Sequence, residues 1–127
     1  VILTQHLYLL AKPEEHLQSR QIRAIKDVLT LIRNHYATSL TLQDLAHEAG
    51  LNPKYFCRLF RQVTGKTPIE YLNYYRIECA AEQLCCTQDT ITDIAFRCGF
   101  EDSSYFGRMF HRMKSMSPRY YRSLHKV

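Results

Sequence analysis

Apolar positions recur along most of the chain at helical spacing, and strand-like alternation is absent. The pattern predicts helices over 2–11, 21–36, 42–49, 53–64, 68–86, 91–98, 102–114 and 118–125. Neighbouring stripes match in pairs. Leu42, Leu45, Ala46 and Ala49 face Phe56, Leu59, Phe60 and Val63, while Ile91, Ile94, Ala95 and Cys98 face Phe106, Met109, Phe110 and Met113. Ile22, Ile25, Val28, Leu29 and Ile32 supply a third face for the first cluster, and Tyr121 and Leu124 supply part of one for the second. Burying each such Leu or Phe is worth about 1.5–3 kcal/mol, enough to hold a three-helix cluster once the third helix closes it. Between the clusters, Ile69, Leu72, Ile77, Ala80, Ala81 and Leu84 mark one long helix of about five turns. Its length suits an element that packs on both clusters and fixes their separation.

The clusters are two copies of one pattern. Leu45-Ala46-His47-Glu48-Ala49-Gly50-Leu51 aligns with Ile94-Ala95-Phe96-Arg97-Cys98-Gly99-Phe100 at an offset of 49. Tyr55-Phe56, Arg58, Phe60 and Pro68 recur as Tyr105-Phe106, Arg108, Phe110 and Pro118 at an offset of 50. Thr41 with Asp44 and Thr90 with Asp93 read as N-caps with acidic third-position partners. Thr67-Pro68-Ile69-Glu70 and Ser117-Pro118 open helices with proline at the first helical position. Gly50 and Gly99 stand where a short helix must stop in the left-handed region.

A short helix, a glycine turn and a second helix form the helix-turn-helix unit, whose second helix enters the major groove of DNA. Two such units in register, joined by a helix of fixed length, predict recognition helices about one DNA turn apart, roughly 34 Å, in successive major grooves. On the first recognition helix the apolar stripe leaves Asn52, Lys54, Cys57, Arg58 and Arg61 facing outward. Arg58 is the leading base reader, because its fork pairs with guanine O6 and N7. Lys54 and Cys57 flank it, the cysteine offering a modest apolar contact, and Arg61 reaches for phosphate. On the second helix the outward set is Ser103, Ser104, Gly107, Arg108 and His111, with Arg112 behind. Arg108 leads there. Gly107 has two readings: close approach of the DNA backbone, or relief of packing. Arg76, Arg97, His111, Arg112, Lys114 and Arg119 complete the expected phosphate contacts.

The charge balance agrees with a polyanionic partner. Lys and Arg number 17 against 12 Asp and Glu, a formal net charge of +5. From Phe106 to Val127 there are six basic residues and no acid. No stretch approaches the ~20 apolar residues of a membrane span, so no membrane partner is expected. Five cysteines without a Cys-x-x-Cys pair favour neither a disulfide scaffold nor a structural zinc site, and a reducing cytoplasm fits them. The scattered histidines form no H-E-x-x-H or paired-carboxylate pattern, so no catalytic residue, metal or cofactor is expected.

Residues 24–122 resemble the DNA-binding domain of AraC/XylS-type bacterial transcriptional regulators. The resemblance is carried by Ile91-x-x-Ile94-Ala95, by Gly99-Phe100-Glu101-Asp102-Ser103-Ser104-Tyr105-Phe106-Gly107-Arg108-Met109-Phe110, and by Ser117-Pro118 with Tyr121-Arg122. It implies an all-α fold of seven helices: two helix-turn-helix subdomains, each a homeodomain-like three-helix unit, joined by a long central helix. The boundaries read as 21–66 for the first subdomain, 67–86 for the connecting helix and 87–127 for the second. The family's base- and backbone-contacting positions fall on Lys54, Cys57, Arg58, Ser103, Ser104, Gly107 and Arg108. The resemblance also implies promoter sites in double-stranded DNA, transcription activation through RNA polymerase, and a separate sensing domain responding to a small-molecule effector or to phosphorylation. Residues 1–20 are expected to be the tail of that domain plus a linker. Val1–Leu10 alternatively pairs with a second copy or folds back; the fragment itself is expected to be monomeric. One departure stands out: Ser115 occupies the position where the family places glycine, at an expected cost of ~1 kcal/mol. The alternative reading is a helical protein-interaction or dimerisation module with only non-specific DNA affinity.

Overall fold

The computed structural model describes residues 19–125. The helix expected over 2–11 lies outside them. The described residues form seven α-helices: α1 (Ser19–His35), α2 (Leu42–Ala49), α3 (Pro53–Thr64), α4 (Pro68–Cys86), α5 (Ile91–Arg97), α6 (Ser103–Lys114) and α7 (Pro118–Leu124). No strand occurs among them. They divide into two compact units, one built from α1 and Leu40–Leu72, the other from Tyr36–Ser39 and the chain from Asn73 onward. The long helix α4 thus contributes its first turn to one unit and the remainder to the other. The short connector Tyr36–Ser39 belongs to the second unit, although it follows α1 in the chain.

In the first unit, Ile25, Val28, Leu29 and Ile32 of α1 are buried with Leu45 and Ala46 of α2 and with Phe56, Leu59, Phe60 and Val63 of α3. Tyr71 and Leu72 from the start of α4 close this core. Phe56, Phe60 and Tyr71 stack edge to face at centroid distances of 5.6 and 5.7 Å, a geometry favoured by the ring quadrupoles. Leu42 and Ala49 are only half-buried, so the expected stripe on α2 narrows to its two central residues.

The second core joins Ile77, Ala80, Ala81 and Leu84 of α4 to Ile94 and Ala95 of α5, to Cys98 and Phe100 of the turn, and to Phe106 and Phe110 of α6. Tyr121 packs against it, but Leu124 is 53% exposed. The expected contribution of Leu124 to this core is therefore corrected: α7 closes the unit through Tyr121 and buried Pro118.

Both turns end their short helices in the same way. Leu51 N–H donates to Ala46 C=O at 3.1 Å and Gly50 N–H to His47 C=O at 3.0 Å; Phe100 N–H donates to Ala95 C=O and Gly99 N–H to Phe96 C=O, both at 3.0 Å. These are paired Schellman bonds, which require a left-handed residue after the helix. Gly50 supplies it at φ 71° and Gly99 at φ 100°. At Gly99 a second reason operates. An added Cβ would lie 2.6 Å from the Tyr36 carbonyl oxygen and 2.8 Å from Arg76 Nε, so only glycine admits the connector there.

Candidate nucleic-acid interface

The two second helices of the turn motifs are anchored before any functional side chain is placed. Asn52 caps α3 by accepting from Tyr55 N–H at 2.9 Å, with Pro53 behind it. Asp102 caps α6 by accepting from Ser104 N–H at 2.8 Å, so α6 begins at Ser103 rather than at Asp102. Both helices terminate on a left-handed residue, Gly65 at φ 83° and Ser115 at φ 61°. Ser115 thus adopts the strained conformation that its departure from glycine implied.

With Phe56, Leu59, Phe60 and Val63 turned inward, α3 exposes Lys54, Arg58 and Arg61 and leaves Cys57 half-buried. With Phe106 and Phe110 turned inward, α6 exposes Ser103, Ser104, Arg108, His111 and Arg112. Each unit therefore collects its expected base-reading residues on one outward helix face. Gly107 lies on that face, half-buried, and a Cβ built there meets nothing within 4 Å. No neighbour among the described residues needs a glycine at this point, which speaks against relief of packing as its explanation.

The expected phosphate contacts separate into two groups. Arg61, His111, Arg112 and Arg119 are exposed. Arg76 is not: it is 9% exposed and donates from Nε to Tyr36 C=O and from Nη2 to Thr38 C=O, both at 2.7 Å. Its assignment to phosphate is corrected here. Arg76 pins the connector in the second unit, and the connector's carbonyls need those donors. Burial lowers the Arg76 pKa from its ordinary value, with Glu101 acting in the opposite sense. Ser39 Oγ also ties the connector, donating to Glu101 Oε1 at 3.1 Å.

Two further basic residues have protein partners. Arg97 donates to Asp89 and Gln83 at 2.9 Å while staying half-exposed; such a surface pair contributes little and leaves the guanidinium within reach of an anion. Lys114 is ion-paired with Glu78 and stands 5.9 Å over the Tyr121 ring. Sequence reasoning also overlooked what Arg122 does. It donates to the carbonyls of Leu84 and Thr87 at 3.1 and 3.3 Å, capping the end of α4 from α7. The clue was available: α4 has no basic residue in its own last turn.

Titratable groups outside this surface are tuned by burial. Tyr36 is pushed up to about 12, chiefly by burial and then by neighbouring Cys79. Burial likewise raises Cys98 to about 11. All five cysteines are free. Among the described residues no group of three His, Cys, Asp or Glu side chains is placed to hold a metal ion, and no helix is long and apolar enough to cross a membrane. The arrangement can present arginine forks and hydroxyls to an anionic, hydrogen-bonding surface.

Comparison with known proteins agrees. A family described as a helix-turn-helix domain matches residues 45–123. The chain is 35% identical over 121 residues to the HTH-type transcriptional activator RhaS of Shigella boydii, covering 94% of this chain and 43% of that protein. It is 41% identical over 98 residues to the transposon Tn10 TetD protein of Escherichia coli, covering 77% of this chain and 71% of that protein. Its fold matches the DNA-binding domain of AdpA, a global transcriptional factor solved with a target DNA, with a TM-score of 0.76 and 27% identity over 79% of this chain and 90% of that one. The RhaS and AdpA relatives are named as transcription factors. The chain belongs to the AraC/XylS-type family of helix-turn-helix transcriptional regulators and comprises a DNA-binding domain of that family.

Proposed function

We propose that this domain binds promoter DNA sequence-specifically, with Arg58 and Arg108 reading bases from recognition helices that enter successive major grooves. The observation that carries this reading is the repeated geometry: two capped helices, each exposing an arginine at the same register, beside Lys54 and Cys57 in the first and Ser103, Ser104 and Gly107 in the second. A guanidinium fork in the major groove discriminates guanine through O6 and N7. Lys54, Cys57, Ser103 and Ser104 add base or sugar contacts, and Gly107 lets a DNA strand pass close to α6. Arg61, Arg97, His111, Arg112, Lys114 and Arg119 serve phosphate, Arg97 and Lys114 by exchanging a carboxylate partner for it.

The whole protein is proposed to activate transcription in the cytoplasm, as the name of the RhaS relative suggests, through contact with RNA polymerase. An effector or phosphorylation signal would be sensed elsewhere in it, and the DNA-binding fragment is proposed to be monomeric.

The test is selection from a randomised duplex library of about 20 bp at near-physiological salt, repeated with Arg58→Ala and Arg108→Ala. Two short blocks about one helical turn apart are expected, each mutant relaxing one block by about 1–3 kcal/mol. Salt-sensitive binding without any motif would reduce the domain to non-specific affinity and overturn the reading.

A further inference from the structure

One three-part arrangement is built twice. In the first unit Gln21, near the start of α1, donates from Nε2 to the Tyr55 hydroxyl at 2.6 Å. The Tyr55 ring lies beside Arg58, whose guanidinium carbon is 5.8 Å from the ring centroid. In the second unit Asn73 of α4 donates from Nδ2 to the Tyr105 hydroxyl at 3.0 Å. Arg108 stands over the Tyr105 ring at 5.9 Å. Tyrosine and arginine are three residues apart in each helix, so ring and guanidinium are neighbours on one face. The amide comes each time from a different helix, the one that opens the core of its unit.

We propose that Gln21 with Tyr55 and Asn73 with Tyr105 are positioning pairs that orient Arg58 and Arg108, and that they set how sharply each recognition helix discriminates its base. The proposal rests on the reading of these arginines as base readers. An arginine on an open helix face spreads over many rotamers and must give up that freedom on docking. A ring face attracts the guanidinium and narrows the spread, but only as far as the ring itself is held. Tyr55 is half-buried and Tyr105 is 37% exposed, so core packing alone grips neither ring fully. The amide bond at the hydroxyl supplies the second point of attachment. In the second unit the donor is itself buried, Asn73 being 8% exposed, and a buried amide has to keep its partner. Orientation therefore passes from the core, through the ring, to the side chain that meets the base.

Tyr55→Phe and Tyr105→Phe keep each ring and remove the hydroxyl, so they test the tether directly in the whole chain. In the randomised-library selection, Tyr55→Phe is expected to lower discrimination about threefold at the base read by Arg58 and nowhere else. Tyr105→Phe should do the same at the base read by Arg108. Affinity for random-sequence duplex stays unchanged in both variants, a selectivity that a merely structural role would not give. The thermal midpoint stays unchanged in Tyr55→Phe but falls in Tyr105→Phe, which strands the buried Asn73 amide, so base preference is read well below that midpoint. In an Arg58→Ala background, Tyr55→Phe has no further effect on base preference. Equal weakening on all sequences, or an effect that persists without Arg58, overturns the proposal. Where Arg58→Ala relaxes its block and Tyr55→Phe does not, the positioning role alone falls. Where Arg58→Ala itself leaves every preference intact, the base-reading assignment falls and this proposal with it.

Discussion

Gly99 and Gly107 illustrate how differently one residue type is used within a single unit. At Gly99 a side chain would strike the Tyr36 carbonyl and Arg76 while the backbone sits at φ 100°. Gly99→Ala is therefore expected to cost about 2–4 kcal/mol, read as a lowered thermal midpoint. Gly107 is an ordinary helical position with open space before it. Gly107→Ala should add about 0.5–1 kcal/mol of stability and, on the proposed reading, weaken binding to the selected duplex by placing a methyl in the path of the DNA strand. Ser115 is the third case: at φ 61° it carries strain that glycine would not, so Ser115→Gly is expected to raise stability by about 1 kcal/mol in thermal denaturation. The strain at Ser115 was legible because the repeat exposes Gly65 as its counterpart. The burial of Arg76 was not. Nothing in local sequence distinguishes an arginine that meets phosphate from one that meets a carbonyl brought from forty residues away.

At the scale of elements, the repeat and the cap residues located both helix-turn-helix motifs almost to the residue. Thr41 and Asp44 cap α2 reciprocally, and Thr90 accepts from Asp93 N–H as its counterpart. The start of α4 is a reciprocal pair as well: Thr67 N–H donates to Glu70 Oε1 at 2.8 Å, and Glu70 N–H donates to Thr67 Oγ1 at 3.2 Å. Those bonds hold the Glu70 carboxyl below its ordinary 4.5. The fold favours the charged form, so this cap is at full strength above the unfolded value and is lost as pH falls through the folded one. Protection of the Thr67 amide, taken relative to its intrinsic exchange rate, should fall over that acidic interval, and Glu70→Gln should make that protection independent of pH. The outer ends of the elements were less legible. Leu124 fits the apolar stripe of α7 by spacing, yet none of the described helices covers that end, and periodicity does not reveal which stripes find a partner.

At the scale of the molecule, the excess of basic residues gave the class of partner but not its footprint. Some positive charges are committed inside the fold, Arg76 and Arg122 to backbone carbonyls. Salt titration separates the two populations. Arg112→Ala is expected to reduce the slope of log affinity against log salt by about 0.9, the loss of one phosphate contact. Arg76→Met should leave that slope unchanged while costing about 2–4 kcal/mol of stability, since it strands two carbonyls. A reduced slope in Arg76→Met would restore the phosphate assignment.

The connector Tyr36–Ser39, held by Arg76 and seated against Gly99, also constrains the order in which the chain can mature on the ribosome. Its anchors are translated well after it. At about 5–20 residues per second, the connector leaves the ribosome a few seconds before Gly99 exists to receive it. The N-terminal unit can gather its own core during that interval. The loop between its first two helices, however, takes its final course only when the C-terminal unit forms, so synthesis from one end does not complete the domain one half at a time.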